Sequence, residues 1–233
     1  MSSDWLTLDE LAAHLGRDRR EIERLANRGR IPCHKRSGMW QFHSAEVTQW
    51  LEQEMRAYSD SQLAAVEKSQ DSAEVDSEIP VSSLLQPEMI EVPLPARTKR
   101  SVLESLVEVA GRTWKVWQPA ALLAGLQERE ELMSTAFDNG VAVPHPRLPM
   151  TDVVGDSLVS FGRRLSGIPF GAPNNTPSDL FFLVVCCDAR THLQVLARLG
   201  RMIQKREFLE SLRESQDSMT AYEVIRQADE AIS

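Results

Sequence analysis

The first sixty residues carry two short helical patterns of hydrophobic positions. Thr7 and Glu10 have the spacing of a capping box, which predicts the start of a first helix there. Asp18 is placed to cap a second helix, and Gly29 lies just past its end. Spaced three and four residues apart, the positions expected to face inward are Leu8, Leu11, Ala12, Leu15, Ile22, Leu25 and Ala26.

A hairpin and a third helix are expected next. Residues 31–42 have the pattern of two short extended pieces around Ser37 and Gly38, a dipeptide that favours a tight turn. Ser44 is expected to cap the third helix, whose inward positions are Val47, Trp50 and Leu51. The order helix, short turn, helix, hairpin, helix predicts a small, mostly helical winged helix-turn-helix domain.

The second half of the chain alternates helical and strand patterns. A short helix is expected over residues 120–127, and Val141 and Val143 alternate as in a strand. Trp114 and Trp117 are expected to pack against the helix before them. The apolar stripe of that helix is Val102, Leu103, Leu106 and Val109.

Between these halves lies a segment of different composition. Residues 59–82 are rich in Ser, Asp, Glu and Ala and contain no aromatic residue. Such a stretch buries too little apolar surface to offset the entropy of ordering it, which indicates a linker. The predicted organisation is a domain at 1–58, an acidic linker at 59–87 and a second domain at 88–233.

Composition indicates a globular protein. Hydrophobic residues make up 42% and charged residues 26% of the 233 positions. No apolar run approaches the roughly 18 residues that a membrane span needs, so no membrane insertion is expected. The first twenty residues lack the basic start and apolar centre of a signal peptide, so a cytoplasmic location is predicted. Cys33, Cys186 and Cys187 are expected to be reduced thiols, the last two buried at the end of a strand.

The net charge of −8 is unevenly distributed. Residues 17–36 hold eight basic against three acidic residues, a local charge of +5. With the segment TLDELAAHLGRDRREIERLANRGRIP, a Gly-containing hairpin and EVTQWL, the first domain resembles the excisionase and MerR-like DNA-binding family. The resemblance implies that the second helix enters the major groove and that the hairpin contacts the backbone. The residues expected to contact DNA are Arg19, Arg20, Arg24, Lys35 and Arg36; the alternative is that they are solvated cations on a protein-interaction module.

His145 is held between two prolines at the end of the Val141 strand. The strings REELMST, GVAVPH, IPFG, PSDLFFL and HLQVLARL closely resemble the fructose/mannitol-type IIA domains of the bacterial phosphoenolpyruvate-dependent phosphotransferase system, including the nitrogen-regulatory branch. The resemblance implies an α/β fold, a three-layer sandwich with a mixed sheet. It also implies that His145 accepts the phosphoryl group, and that His192 and Arg129 bind and orient that group. Without the resemblance, a helix-capping or core-edge histidine is the favoured interpretation of His192.

The sequence departs from the family pattern at Phe137, Asp138 and Pro146, where the family has smaller residues. No metal site is expected, because histidines and cysteines never occur in CxxC or HxxxH spacing. No cofactor is expected either, because neither GxxxxGK[ST] nor GxGxxG is present.

The function predicted is a phosphotransferase, a histidine phosphocarrier and sensor that accepts a phosphoryl group on His145 and regulates DNA binding. Its expected partners are a histidine phosphocarrier protein as donor, a IIB-type acceptor or regulated protein, and DNA. Two alternatives remain open at this point. One is a transport phosphocarrier whose first domain only docks a protein, and the other is a binding module that is not phosphorylated.

Overall fold

The computed structural model describes residues 5–70 and 78–232. They belong to two compact units that divide between Glu78 and Ile79. Within the described ranges, every helix is too short or too polar to cross a bilayer.

The first unit is the predicted winged helix-turn-helix, with an additional strand and helix. Its three-stranded antiparallel sheet has the order β1 (Trp5–Thr7), β3 (Met39–His43), β2 (His34–Arg36). Ser37 and Gly38 both have positive φ at the tip of the β2–β3 hairpin, as a two-residue hairpin turn requires. The elements are β1 (Trp5–Thr7), α1 (Leu8–His14), α2 (Arg19–Asn27), β2 (His34–Arg36), β3 (Met39–His43), α3 (Ser44–Met55) and α4 (Asp60–Ser69).

Local signals in this unit were predicted well, with one correction. Thr7 and Glu10 form the expected capping box, and the side chain of Asp18 accepts a hydrogen bond from the backbone N–H of Arg20. The predicted cap at Ser44 is wrong: α3 begins at that residue and its N-cap is His43, whose side chain makes no capping bond. The chain enters α3 directly from β3, so the residue that leaves the strand takes the cap position.

The predicted linker is much shorter in the structure. Ser59 and Gln62 form a capping box that starts α4, and this helix buries Leu63 and Val66. The end of this helix is attached to the last residue of α1, because Gln70 Nε2 donates to the His14 carbonyl at 3.0 Å. Residues 71–77, also within the predicted linker, lie outside the described residues.

The second unit begins before residue 88. Two short 3₁₀ helices, Val81–Ser83 and Pro87–Met89, place Val81, Leu85 and Met89 in its core. The remaining elements are β4 (Ile90–Glu91), α5 (Lys99–Gly111), α6 (Pro119–Leu132), β5 (Val141–Ala142), β6 (Leu158–Ile168), β7 (Ser178–Val185), α7 (Ala189–Ile203), α8 (Arg206–Glu214) and α9 (Ser218–Glu230).

A mixed four-stranded sheet forms the middle layer, in the order β4, β6, β7, β5. The two outer pairs are parallel and the central β6–β7 pair is antiparallel. Adjacent side chains of β6 point to opposite faces: the Ser160 hydroxyl donates to the Leu106 carbonyl of α5, whereas Phe161 stacks with Phe182, which contacts Phe208 of α8. Helices therefore cover both faces, giving the expected three-layer α/β sandwich.

Two expectations about the second unit are corrected. The helix expected over residues 120–127 is longer, because Pro119 starts α6 at its first turn and the helix runs to Leu132. Trp114 and Trp117 do not pack against α5: their exposed fractions are 88% and 62%. They lie on the connection between α5 and α6, where Trp114 has a positive φ that directs the chain through a tight turn.

Candidate functional site

His145 lies just beyond the carboxyl end of β5. Val141 and Ala142 pair with β7, and the Val184 N–H donates to the Pro144 carbonyl at 3.0 Å, which extends the contact to the residue before the histidine. The ring Nδ1 of His145 is 2.7 Å from the Val143 carbonyl oxygen. A carbonyl only accepts hydrogen bonds, so Nδ1 carries a proton and donates, and in the neutral ring the lone pair lies on Nε2.

His192 lies in the first turn of α7. This helix follows β7 after a three-residue connection, and Asp188 caps it by accepting bonds from the backbone N–H and the hydroxyl of Thr191 at 2.8 and 2.7 Å. The Asp188 carbonyl also accepts from the His192 N–H at 3.1 Å. Positive potential at this helix end favours an anion nearby.

The fold brings the two histidines together. Their ring centroids are 5.2 Å apart, with an angle of 59° between the ring planes. β5 and β7 are parallel neighbours, so their carboxyl ends lie at the same edge of the sheet, and the residues that follow them meet there. Ligand sites in α/β sheets form at such edges.

Arg129 approaches β5 from its other side. It lies in the last turn of α6 and is 3% exposed, and its Nη1 donates to the Met133 carbonyl at 2.9 Å. The segment after Met133 runs antiparallel to β5, since the Val143 N–H donates to the Thr135 carbonyl at 3.2 Å and Ala136 bridges to Ala142. Arg129 is therefore attached to the backbone segment that borders the strand leading to His145.

The five cations expected to contact DNA are all exposed on the first unit, three on α2 and two on β2. Arg19 is not a freely available cation, because its Nε is 2.7 Å from a carboxylate oxygen of Asp9. On the wing, the guanidinium carbon of Arg36 is 4.2 Å from the ring centroid of Trp5, and Lys35 Nζ is 5.2 Å from that of Trp40. These cation–π contacts hold both side chains over the sheet.

Trp5 was missed by the sequence reasoning. It lies on β1, a strand that pairs with β3 and was not predicted, and its ring also contacts His34 and His43 edge to face. The signal available was the short extended segment Trp5-Leu6-Thr7 before the first N-cap. Three residues are too few for a period to be read, so the strand became visible only through its partner.

Each of the two units matches a known protein family. Residues 83–228 match the family described as "Phosphoenolpyruvate-dependent sugar phosphotransferase system, EIIA 2", and residues 5–55 match a helix-turn-helix domain family. The fructose-specific EIIA component of Haloferax volcanii is 30% identical over 152 residues, covering 64% of this chain and 97% of that protein. A nitrogen regulatory protein of Bradyrhizobium diazoefficiens is 31% identical over 151 residues, covering 63% and 95%.

Solved structures give the same fold. Nitrogen regulatory protein IIA-Ntr from Neisseria meningitidis superimposes with a TM-score of 0.57 at 23% identity, covering 62% of this chain and 98% of that one. The mannitol IIA of Escherichia coli superimposes with a TM-score of 0.54 at 22% identity, covering 60% and 97%. The chain belongs to the phosphoenolpyruvate-dependent sugar phosphotransferase system EIIA 2 family and carries a helix-turn-helix domain ahead of its EIIA domain.

Proposed function

We propose that the second unit is a phosphoryl carrier that accepts a phosphoryl group on Nε2 of His145 from a histidine phosphocarrier protein. The observation that carries this proposal is the 2.7 Å bond between His145 Nδ1 and the Val143 carbonyl, which leaves the lone pair on Nε2. The position of His145 beside His192, at the carboxyl ends of β5 and β7, supports it.

The transfer needs no further reactant. The Nε2 lone pair attacks phosphorus, a P–N bond forms, and the donor's P–N bond breaks with its electron pair returning to the donor nitrogen. The Nδ1 proton stays in place, so the His145 ring becomes positively charged as the bond forms. The Val143 carbonyl dipole is directed at that ring N–H and stabilises the charge. Transfer onward is the reverse of these steps with a different acceptor.

In this proposal His192 and Arg129 stabilise the anion. The His192 ring is adjacent to His145 and lies at the N-terminal end of α7, where backbone N–H groups favour negative charge. Arg129 supplies a permanent positive charge with a fork that matches two phosphate oxygens. Neither residue breaks or forms a covalent bond.

We further propose that the first unit binds duplex DNA and that the phosphorylation state of His145 regulates this binding. The match of residues 5–55 to a helix-turn-helix family and the exposed cations of α2 and β2 support the proposal. The acceptor of the phosphoryl group would be a IIB-type protein or the regulated partner. A related mannitol IIA from Escherichia coli has been solved in complex with a phosphorylated IIB protein.

Phosphorylation of the full chain by phosphoenolpyruvate and the general donor proteins tests the first proposal. Mass spectrometry should show the gain of one phosphoryl group that is labile in acid and stable in base. His145→Ala should abolish the gain, and His34→Ala, which removes an exposed histidine of the first unit, should leave it unchanged. His192→Ala and Arg129→Lys should slow transfer without removing the acceptor. A full phosphoryl gain by His145→Ala would refute the assignment.

A gel-shift assay with genomic operator fragments tests the second. Affinity should fall steeply with salt, because bound cations release counterions from the duplex. The double variant Arg20→Ala/Arg24→Ala should weaken binding, whereas Arg100→Ala/Arg206→Ala removes the same charge from the second unit and should not. Equal affinity of both double variants and the wild type would contradict direct DNA contact and favour a protein-docking role for the first unit. Phosphorylated and unphosphorylated protein should differ in affinity.

A further inference from the structure

Glu130 is a buried carboxylate that the proposed chemistry does not use. Its side chain is 2% exposed and accepts two hydrogen bonds from Thr135, from the backbone N–H at 2.8 Å and from the hydroxyl at 2.6 Å. Lys99 Nζ lies 3.0 Å from the same carboxylate. Three donors converge on one buried charge, which offsets the cost of removing it from water.

Lys99 is itself held in place. It is the first residue of α5, its side chain is 35% exposed, and Nζ lies 5.1 Å from the ring centroid of Phe170. The ion pair therefore joins the start of α5 to the end of α6, and Thr135 joins both to the segment after α6. Its neighbour Arg100, by contrast, makes an exposed pair with Glu104 on the same helix.

A continuous series of hydrogen bonds leads from this ion pair to the histidine. Glu130 fixes the backbone N–H of Thr135, the Thr135 carbonyl accepts the Val143 N–H, and the Val143 carbonyl accepts Nδ1–H of His145. The bonds are linked through the backbone groups of Thr135 and of Val143, the residue that follows β5. Arg129 precedes Glu130 on α6 and bonds to Met133, so the same anchor sets the path of the segment that holds its guanidinium.

We propose that Glu130 is a positioning residue for phosphoryl transfer and that Lys99 is its counter-ion. Resting on the assignment of His145 as the acceptor, the proposal is that Glu130 keeps the Val143 carbonyl aligned with Nδ1 and so keeps the lone pair on Nε2. Glu130 touches neither phosphoryl group nor donor. A displacement of about 1 Å at a reacting atom reduces rates by up to about a hundredfold, so a shift of the Thr135 segment is sufficient to affect transfer.

Two measurements on the full chain test this role. The first is the ¹⁵N chemical shifts of the His145 ring, which report the tautomer and need no phosphoryl donor. The second is the initial rate of phosphoryl transfer from the donor, taken well below the melting temperature of each variant. Three variants alter the ion pair: Glu130→Gln, Lys99→Met and Lys99→Arg. Glu130→Gln removes the negative charge and one hydrogen-bond acceptor. Arg100→Met is the matched control, because it breaks the exposed pair with Glu104 on the same helix.

Glu130→Gln and Lys99→Met should shift His145 from the Nδ1–H tautomer toward a mixture and slow transfer by about tenfold to about a hundredfold. Lys99→Arg keeps the positive charge and should restore both readouts, and Arg100→Met should match the wild type. A folded Glu130→Gln protein with the wild-type tautomer and rate overturns the proposal, because a purely structural ion pair changes only the melting temperature.

Two further outcomes are also decisive. If Glu130→Gln does not fold, Thr135→Val and Lys99→Met replace it, since each removes one contact of the carboxylate and leaves the charge of Glu130 in place. If the wild type accepts no phosphoryl group, the proposed function fails, and the ring ¹⁵N shifts alone then decide whether Glu130 positions His145.

Discussion

Removal of Arg198 should strongly destabilise the second unit. Arg198 and Asp229 form a buried ion pair whose side chains are 1% and 0% exposed. Arg198 Nε donates to the Asp229 carboxylate at 2.5 Å and Nη2 donates to the Asp229 carbonyl at 3.0 Å. The carboxylate also accepts the N–H and hydroxyl of Ser82 at 2.8 and 2.7 Å. The pair therefore joins α7, α9 and the first 3₁₀ helix of this unit.

The magnitude follows from what Arg198→Met leaves behind. A methionine fills much of the volume, but the carboxylate of Asp229 stays buried, keeps its two hydrogen bonds from Ser82 and loses its positively charged partner. An unpaired buried charge costs about 3–5 kcal/mol. For a unit of this size, each kcal/mol lowers the melting temperature by roughly 2–4 °C, so a decrease of roughly 6–20 °C is expected. The double variant Arg198→Met/Asp229→Leu removes both charges and leaves the Ser82 donors unsatisfied, at a cost of about 1–3 kcal/mol.

Differential scanning calorimetry of the full chain is the suitable assay, because separate transitions of the two units can be fitted in one scan. Arg206→Met is the control: it breaks an exposed pair with Glu210 on α8 and should leave the melting temperature unchanged. The reasoning is refuted if Arg198→Met costs less than about 1 kcal/mol, or if the double variant is no more stable than Arg198→Met alone, since either result means that the charge of Asp229 is not held by Arg198.

Three other predictions concern a thiol, a strand glycine and the helix that is proposed to contact DNA. Burial raises the pKa of Cys186 to about 12, so in the folded protein its thiol stays protonated at pH values above 9, where the unfolded chain loses that proton. The thiol should therefore resist alkylation at pH 9. Its contribution to the free energy of unfolding, measured by urea titration, should decline as the pH rises from 9 to 12. Gly162→Ala places a Cβ 2.8 Å from buried Leu94 and should cost about 1–3 kcal/mol by urea denaturation, whereas Gly111→Ala, with open space around it, should not destabilise. Asp9→Asn releases Arg19 from its ion pair and should strengthen DNA binding in the gel-shift assay, an expectation contradicted by unchanged affinity.

The sequence by itself determined several local features of the two units. The capping box of Thr7 and Glu10, the Asp18 cap of α2 and the hairpin at Ser37 and Gly38 were all predicted and are confirmed. Each depends on residues a few positions apart, because caps and tight turns are made by side chains and backbone groups within one or two turns of chain. For the same reason the position of His145 at a strand end could be predicted.

Only the tertiary structure decided which segments are ordered and which side chains are covered. The helix from Asp60 and the 3₁₀ helix from Val81 lie in sequence that indicated a linker, yet their apolar residues are buried. Ser82 is fixed by Asp229, 147 positions away. For Trp114 and Trp117 the prediction was wrong in the opposite direction: they were expected to be packed, and the fold leaves both exposed. Burial is a sum over contacts from distant parts of the chain, and local periodicity does not contain that sum.

The proximity of the site residues to one another was also decided by the tertiary structure. Sequence reasoning named His145 and His192 separately, but their 5.2 Å separation arises because β5 and β7 are parallel neighbours in the sheet. The order of the strands depends on how all the helices together cover both faces of the sheet. The sequence of a single segment therefore does not predict this order. Glu130 went unnoticed for a related reason: its partner Thr135 is close in sequence, but Lys99 is brought to it only by the packing of α5 against α6.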